Sequence, residues 1–170
     1  MSKSPMSPWH VGIAAEAIAA AQFARIGLEV SVQYGANQPE FDLVVVKGER
    51  LLRVSVKGSQ DGKWGLTQSY LRHADYHQAA DMWLARHHRK TIFCFVQFVD
   101  TELDELPRVY VARPAEVARR LRDSSGGRGD TVLHENHEWG PRAHAKGTAD
   151  RIPESWRFSR ERVIALLDKA

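Results

Sequence analysis

The sequence has a single cysteine, Cys94, so no internal disulfide can form. It lies inside the apolar run 92–98, where it reads as a small core residue and not as a catalytic thiol. No apolar stretch approaches the roughly 20 residues of a membrane span, and residues 1–9 lack the hydrophobic segment of a signal peptide. A cytoplasmic protein with no membrane partner is expected. An excess of either charge is also missing: 24 Lys and Arg stand against 21 Asp and Glu, a net charge of +3 with eight neutral histidines. Binding to a polyanion would therefore have to come from clustering of cations, not from their total. There is no internal repeat and no shift of composition that divides the chain. With 170 residues, 43% of them hydrophobic, the length suits one domain with its own core.

The most informative stretch is residues 40–60, EFDLVVVKGERLLRVSVKGSQ. Two apolar runs flank Lys47-Gly48-Glu49-Arg50, which reads as a hairpin. In the first run Asp42, Val44 and Val46 alternate with Phe41, Leu43 and Val45. In the second, Leu51, Arg53, Ser55 and Lys57 alternate with Leu52, Val54 and Val56. A two-residue loop pairs Lys47 with Arg50 and a four-residue loop pairs Val46 with Leu51; both set Asp42 opposite Ser55. Asp42 and Lys57 then become diagonal neighbours, roughly 7–8 Å apart. A three-residue loop would send Asp42 to the other face.

Before the hairpin, residues 1–8 read as a flexible lead-in, and an alanine-rich helix over 9–26 ends at Gly27. Helical phase sets Glu16 on one face with Trp9, Gly12, Ala19, Ala20 and Phe23. An acid at the edge of an apolar face can also simply reach solvent. A short strand over 29–34 and a loop over 35–39 follow, with Pro39 leading into the Asp42 strand. After Lys57 the run GSQDGKWG reads as a loop in which Lys63 and Trp64 could lay a cation and an aromatic ring on nucleic acid, or as an ordinary connection.

A helix over 71–86 carries His73 and His77 at i, i+4, a spacing that can chelate a metal, but without the glutamate of an HExxH motif. Residues 91–99 form a strand buried on both faces. A strand at 108–112 leads to a helix that Pro114 opens and whose end carries Arg119, Arg120 and Arg122. Residues 133–151, with Arg142, Lys146, three histidines and no period, are expected to be functional or partly disordered. A last helix over 159–167 starts at an N-cap Ser159. A histidine-ligated metal centre at His73, His77, His134 and His137 has no third ligand in a matching pattern; scattered histidines acting as proton or phosphate donors are preferred.

The order helix, three strands, helix, strand, with Glu16, Asp42 and Lys57 at those places, resembles the PD-(D/E)xK nuclease superfamily. The likeness is closest to the archaeal Holliday junction resolvases and the homing and restriction endonuclease branch, and it covers residues 9–99. It implies a restriction-endonuclease-like α/β fold, an αβββαβ core with a central mixed sheet flanked by helices, elaborated by residues 100–170. It also implies Mg²⁺-dependent hydrolysis of DNA, with Mn²⁺ as a substitute, by a homodimer. Carried over, the site is Glu16, Asp42, Ser55 and Lys57, with Glu16, Asp42 and the Val56 carbonyl as metal ligands. The departure is Ser55, where the family has Asp or Glu. Asp75, and after it Asp81, is the substitute acid the sequence offers; Gln60 could assist by hydrogen bonding. DNA contacts are expected at Gln60, Lys63, Trp64, Arg142 and Lys146. The competing reading is the same fold without catalysis, a nucleic-acid-binding or assembly module.

Overall fold

A computed structural model describes residues 6–33 and 40–170. The expected 35–39 loop and the end of the first strand at Tyr34 lie outside the described residues, as does most of the lead-in. The chain gathers into two compact units. One comprises Met1–Asp61, Arg89–Ala112 and Ser155–Ala170; the other comprises Gly62–His88 and Arg113–Glu154. No described helix is long and apolar enough to cross a membrane.

The first unit is built on a five-stranded mixed sheet. Helix α1 (Pro8–Arg25) is followed by β1 (Glu29–Val32), β2 (Leu43–Lys47) and β3 (Arg50–Ser59). After an excursion into the second unit come β5 (Thr91–Gln97), β6 (Arg108–Ala112) and, at the end, α4 (Arg160–Asp168). The strand order is β1-β2-β3-β5-β6, parallel between β3 and β5 and antiparallel elsewhere. This is the expected mixed sheet flanked by helices, with the expected order of helices and strands. Lys47 pairs with Arg50 across a two-residue loop, whose Gly48 takes the left-handed conformation (φ +61°) that an L side chain rarely adopts.

One face of the sheet carries Leu43, Val45, Leu52, Val54, Val56, Ile92, Cys94, Val96, Val109 and Val111. Ala15, Ala19 and Phe23 of α1 and Val163, Leu166 and Leu167 of α4 share that core. Burial pushes the Cys94 thiol well above its ordinary range, which keeps it neutral and inert. Strand β5 is buried at every position, Phe93 and Phe95 facing away from this core and stacking on one another at 5.8 Å. Ser59 continues β3 to its last residue, so Gly58 belongs to the strand and not to the glycine-rich loop expected after Lys57.

The centre of the buried face of α1 is Val11, Ala15, Ala19 and Phe23. The expected face, Glu16 with Trp9, Gly12, Ala19, Ala20 and Phe23, is therefore rotated: Ala19 and Phe23 are buried, Gly12, Glu16 and Ala20 are at the border and Trp9 is outside. Alanine at so many positions leaves the phase of this helix weakly marked in the sequence.

In the second unit, β4 (Lys63–Gly65) pairs with β7 (Val132–His134), and β8 (Asn136–Glu138) pairs with β9 (Ala149–Arg151). The region 133–151, which has no period in sequence, is thus folded into short strands. The helix expected over 71–86 is broken. A 3₁₀ turn (Gln68–His73) ends at Ala74, which is extended (φ −150°, ψ 155°), and α2 (Tyr76–Ala85) starts afresh from a capping box in which Asp75 and Gln78 satisfy each other's backbone amides. Helix α3 (Pro114–Asp123) completes the unit, with Pro114 at its permitted first-turn position.

Candidate active site

The site begins at Asp42, just before the first residue of β2. The ladder between β2 and β3 runs to Leu43 opposite Val54. The Asp42 amide also donates to the Val54 carbonyl at 2.8 Å, so two successive residues address one. The Asp42 carboxylate then reaches past Ser55 and accepts the Val56 N–H at 2.7 Å through Oδ2. Asp42 is therefore not simply across from Ser55, as strict alternation implies; it brackets Ser55 with bonds to the residue on each side. A strand residue presents its N–H and C=O to the same neighbour, and its second neighbours do likewise. With the Val54 carbonyl and the Val56 N–H both on the β2 side, the Val56 carbonyl points there too, beyond the last ladder rung.

Glu16 joins them through a close contact between α1 and β3. A Cβ added to Gly58 would come within 2.8 Å of the Ala15 Cβ and of Val11 Cγ1, and 2.9 Å of the Val11 carbonyl. Only glycine lets the helix lie this near the strand. Glu16 follows Ala15 and is half-buried at the border of the packed face. Gly58 is a positioning residue that the sequence offered only as one of several loop-like glycines.

The electrostatics tie the three groups together. Burial first, and then the negative charge of Asp42, hold the Glu16 carboxyl above its ordinary range, while Lys57 pulls it down. Burial likewise holds Asp42 up, against the Val56 N–H and the Lys57 ammonium, which pull it down. For both acids the upward push wins. Two oxygen donors that resist ionisation stand beside one exposed ammonium, and a cation between them would relieve both penalties.

The donor set is hard oxygen, which suits Mg²⁺, Mn²⁺ or Ca²⁺. Among the described residues no group of three or more His, Cys, Asp or Glu is placed to hold a metal, which removes the histidine-ligated centre. His73 and His77 sit on opposite sides of the break at Ala74, so the chelating i, i+4 geometry is lost; His77 Nε2 instead lies 2.9 Å from the Gly127 carbonyl. Two carboxylates and a backbone carbonyl are hard oxygen donors of the number that Mg²⁺ takes from a protein while it keeps waters and binds substrate phosphate. Glu16, Asp42 and the Val56 carbonyl fit it.

The remaining expected residues divide. Ser55 is 2% exposed, enclosed in the sheet at the position where the resemblance would have placed Asp or Glu. Asp75 caps α2 and Asp81 pairs with Arg122, so each substitute acid has a structural partner of its own. Gln60 holds the start of the chain: its Nε2 donates to the Met6 carbonyl at 2.7 Å and its Oε1 accepts the Met6 N–H at 3.0 Å. Trp64 is 3% exposed and its ring is core, which corrects the expectation of a stacking surface there. Lys63, Arg142 and Lys146 are exposed, Lys63 opposite His134 and the other two in the connection between β8 and β9.

A bacterial homing endonuclease is similar in structure. The TM-score is 0.49 and the sequence identity 19%, with 97% of this chain and 95% of that one covered. No protein-family model matches the sequence, and no curated protein matches it.

Proposed function

We propose that this protein is a metal-dependent DNA endonuclease of the PD-(D/E)xK type, with Glu16, Asp42 and the Val56 carbonyl as the seat of Mg²⁺ and Lys57 as the cation that meets the substrate phosphate. The observation that carries this reading is the meeting of two carboxyls, both held above their ordinary range, beside an ammonium at the end of a sheet. Structural carboxylates are commonly relieved by full donor shells, and acids held up by burial beside a charged partner cluster at functional sites. The ion, when bound, lowers the pKa of its water and offsets charge on the phosphate. Asp42, pinned through Oδ2 by the Val56 N–H, would offer its other oxygen to the ion. Lys57 would donate hydrogen bonds to a phosphate oxygen or to the incoming water, which releases a proton to solvent and adds to phosphorus as the P–O bond to the leaving strand breaks and its oxygen takes up a proton from solvent. A homodimer, with one such site per strand, and branched DNA as substrate belong to the same proposal.

The enclosed hydroxyl of Ser55 supports a second reading, a DNA-binding module without catalysis. Purified protein should be incubated with supercoiled, linear and branched DNA in Mg²⁺ or Mn²⁺, beside Lys57→Ala and Asp42→Asn. Cleavage by the wild type that both variants lose supports the endonuclease. Cleavage that all three share refutes the assignment. DNA binding in Ca²⁺ with no cleavage in either catalytic metal selects the binding module.

A further inference from the structure

Trp9 and Ile13 are among the most exposed large apolar residues, at 69% and 48%. Each alone is unremarkable on a protein surface. Their placement is not: with Glu16 they stand at i, i+4 and i+7 of α1, one stripe on its exposed side that meets the buried face at Glu16. At 1.5 Å per residue, Trp9 lies about 10 Å along the helix axis from Glu16, about three base steps of a nucleic acid strand. This end of the chain is also held in place. Gln60 clasps the Met6 backbone through both ends of its amide. Ser7 caps the helix, its Oγ accepting the His10 N–H at 3.2 Å and lying 2.8 Å from His10 Nδ1. The His10 ring, so fixed, meets Trp9 edge-on at 5.0 Å. The first turn of α1 contains no acidic residue, so no carboxylate of that turn offsets the positive end of the helix dipole.

We propose that Trp9 is a stacking platform for an unpaired nucleobase of the strand whose phosphate occupies the Glu16, Asp42 and Lys57 site, so that the preferred substrate is DNA with an interrupted stack and not continuous duplex. The inference rests on the nuclease reading above. An indole face stacks on any base without regard to sequence, and a large, rigid ring with few torsions loses little freedom in doing so. A base within a duplex has both faces covered and cannot use the platform; a bulged, flapped or junction base can. The absence of acids in the first turn and the continuity of the stripe with Glu16 favour a nucleic acid strand over an apolar protein partner as its occupant.

The test uses the full-length protein with Ca²⁺ in place of Mg²⁺, so that binding is read without cleavage. Probes are a duplex and the same duplex carrying one unpaired 2-aminopurine. The wild type should bind the bulged DNA more tightly and quench its fluorescence on stacking. Trp9→Ala should weaken that binding about tenfold and abolish the quench while leaving the duplex unchanged, and Trp9→Phe should retain most of both. An unchanged melting temperature shows that the exposed substitution leaves the fold intact. Equal weakening on both DNAs, no weakening, or a fall from dimer to monomer in light scattering with DNA binding intact overturns the platform, the last pointing to a second copy as occupant. If the wild type cleaves in Mg²⁺ and Trp9→Ala cleaves both DNAs equally well, the platform fails and the nuclease stands. If the wild type neither binds nor cleaves any DNA, both fail.

Discussion

Three aspartates, one in the first unit and two in the second, are buried or half-buried in opposite conditions. Asp150, 6% exposed, accepts from Arg120 at 2.7 Å through Oδ1, and from the Ser125 N–H at 2.9 Å and Trp139 Nε1 at 2.8 Å through Oδ2. Asp130 pairs with His134 and accepts the Thr131 and Val132 amides; burial pushes it up, but these donors outweigh burial and hold it below the ordinary carboxylate range. Asp42 has one backbone donor, Lys57, and a second acid nearby, and burial wins. The full shells tie short strands and turns together. On the proposed function the open shell is where a cation would sit, and the difference in donors then separates a structural acid from a functional one more sharply than burial does.

The largest effect expected from that contrast is in Asp42→Asn. Cleavage should fall about 10³-fold, because the substitution removes charge at the point where an ion and phosphate would meet. The amide oxygen can still accept the Val56 N–H, so the melting temperature should hold or rise. Asp150→Ala should behave the other way. Removing one partner of a buried, hydrogen-bonded pair leaves Arg120 uncompensated and costs about 3 kcal/mol. Denaturant unfolding beside plasmid nicking checks both; a stable Asp150→Ala that has lost cleavage would erase the distinction.

What could be read from sequence follows the same division. The hairpin was legible because alternation and a two-residue loop constrain each other: Lys47 opposite Arg50 leaves Leu43 one face only. The continuous apolar run of β5 and the Ser159 cap were equally plain. The break before α2 was also in the sequence, as the Asp75-x-x-Gln78 capping box, but a helical period spanning it concealed it. The region 133–151 was not legible, since three-residue strands are too short for a period and their support is the Asp150 hub, built from residues 120, 125 and 139. Nor was the role of Gly58, because distance between a helix and a strand leaves no local pattern.

Gly58 offers a third, smaller test. Gly58→Ala forces α1 off β3 or distorts it, at about 2 kcal/mol. Cleavage should fall more than the loss of folded protein explains, because Glu16 moves with Ala15. A variant that loses stability yet keeps full activity per folded molecule would remove Glu16 from the site.

The smallest effect is in the pH dependence, and its sign distinguishes the two kinds of acid. Glu16 and Asp42 have folded values raised above those of the unfolded chain. Their contribution to stability is therefore fully present below the ordinary carboxylate values of about 4 and is lost as pH rises through the raised ones. Asp130 is lowered on folding, so its contribution is present above the ordinary value and lost as pH falls through the lowered one. Without metal, Asp42→Asn should melt above the wild type at neutral pH, and the two curves should converge as pH falls and the acids take up protons. Mg²⁺ at about ten times its dissociation constant should raise the wild-type melting temperature by about 3 °C at neutral pH. That gain should vanish over the same acidic window, since protonated carboxyls do not hold the ion. Melting curves across pH, with and without Mg²⁺, read both signs at once. A gap between wild type and Asp42→Asn that stays constant with pH would mean that Asp42 is as well satisfied as Asp150, and the carboxyl pair would then be structure.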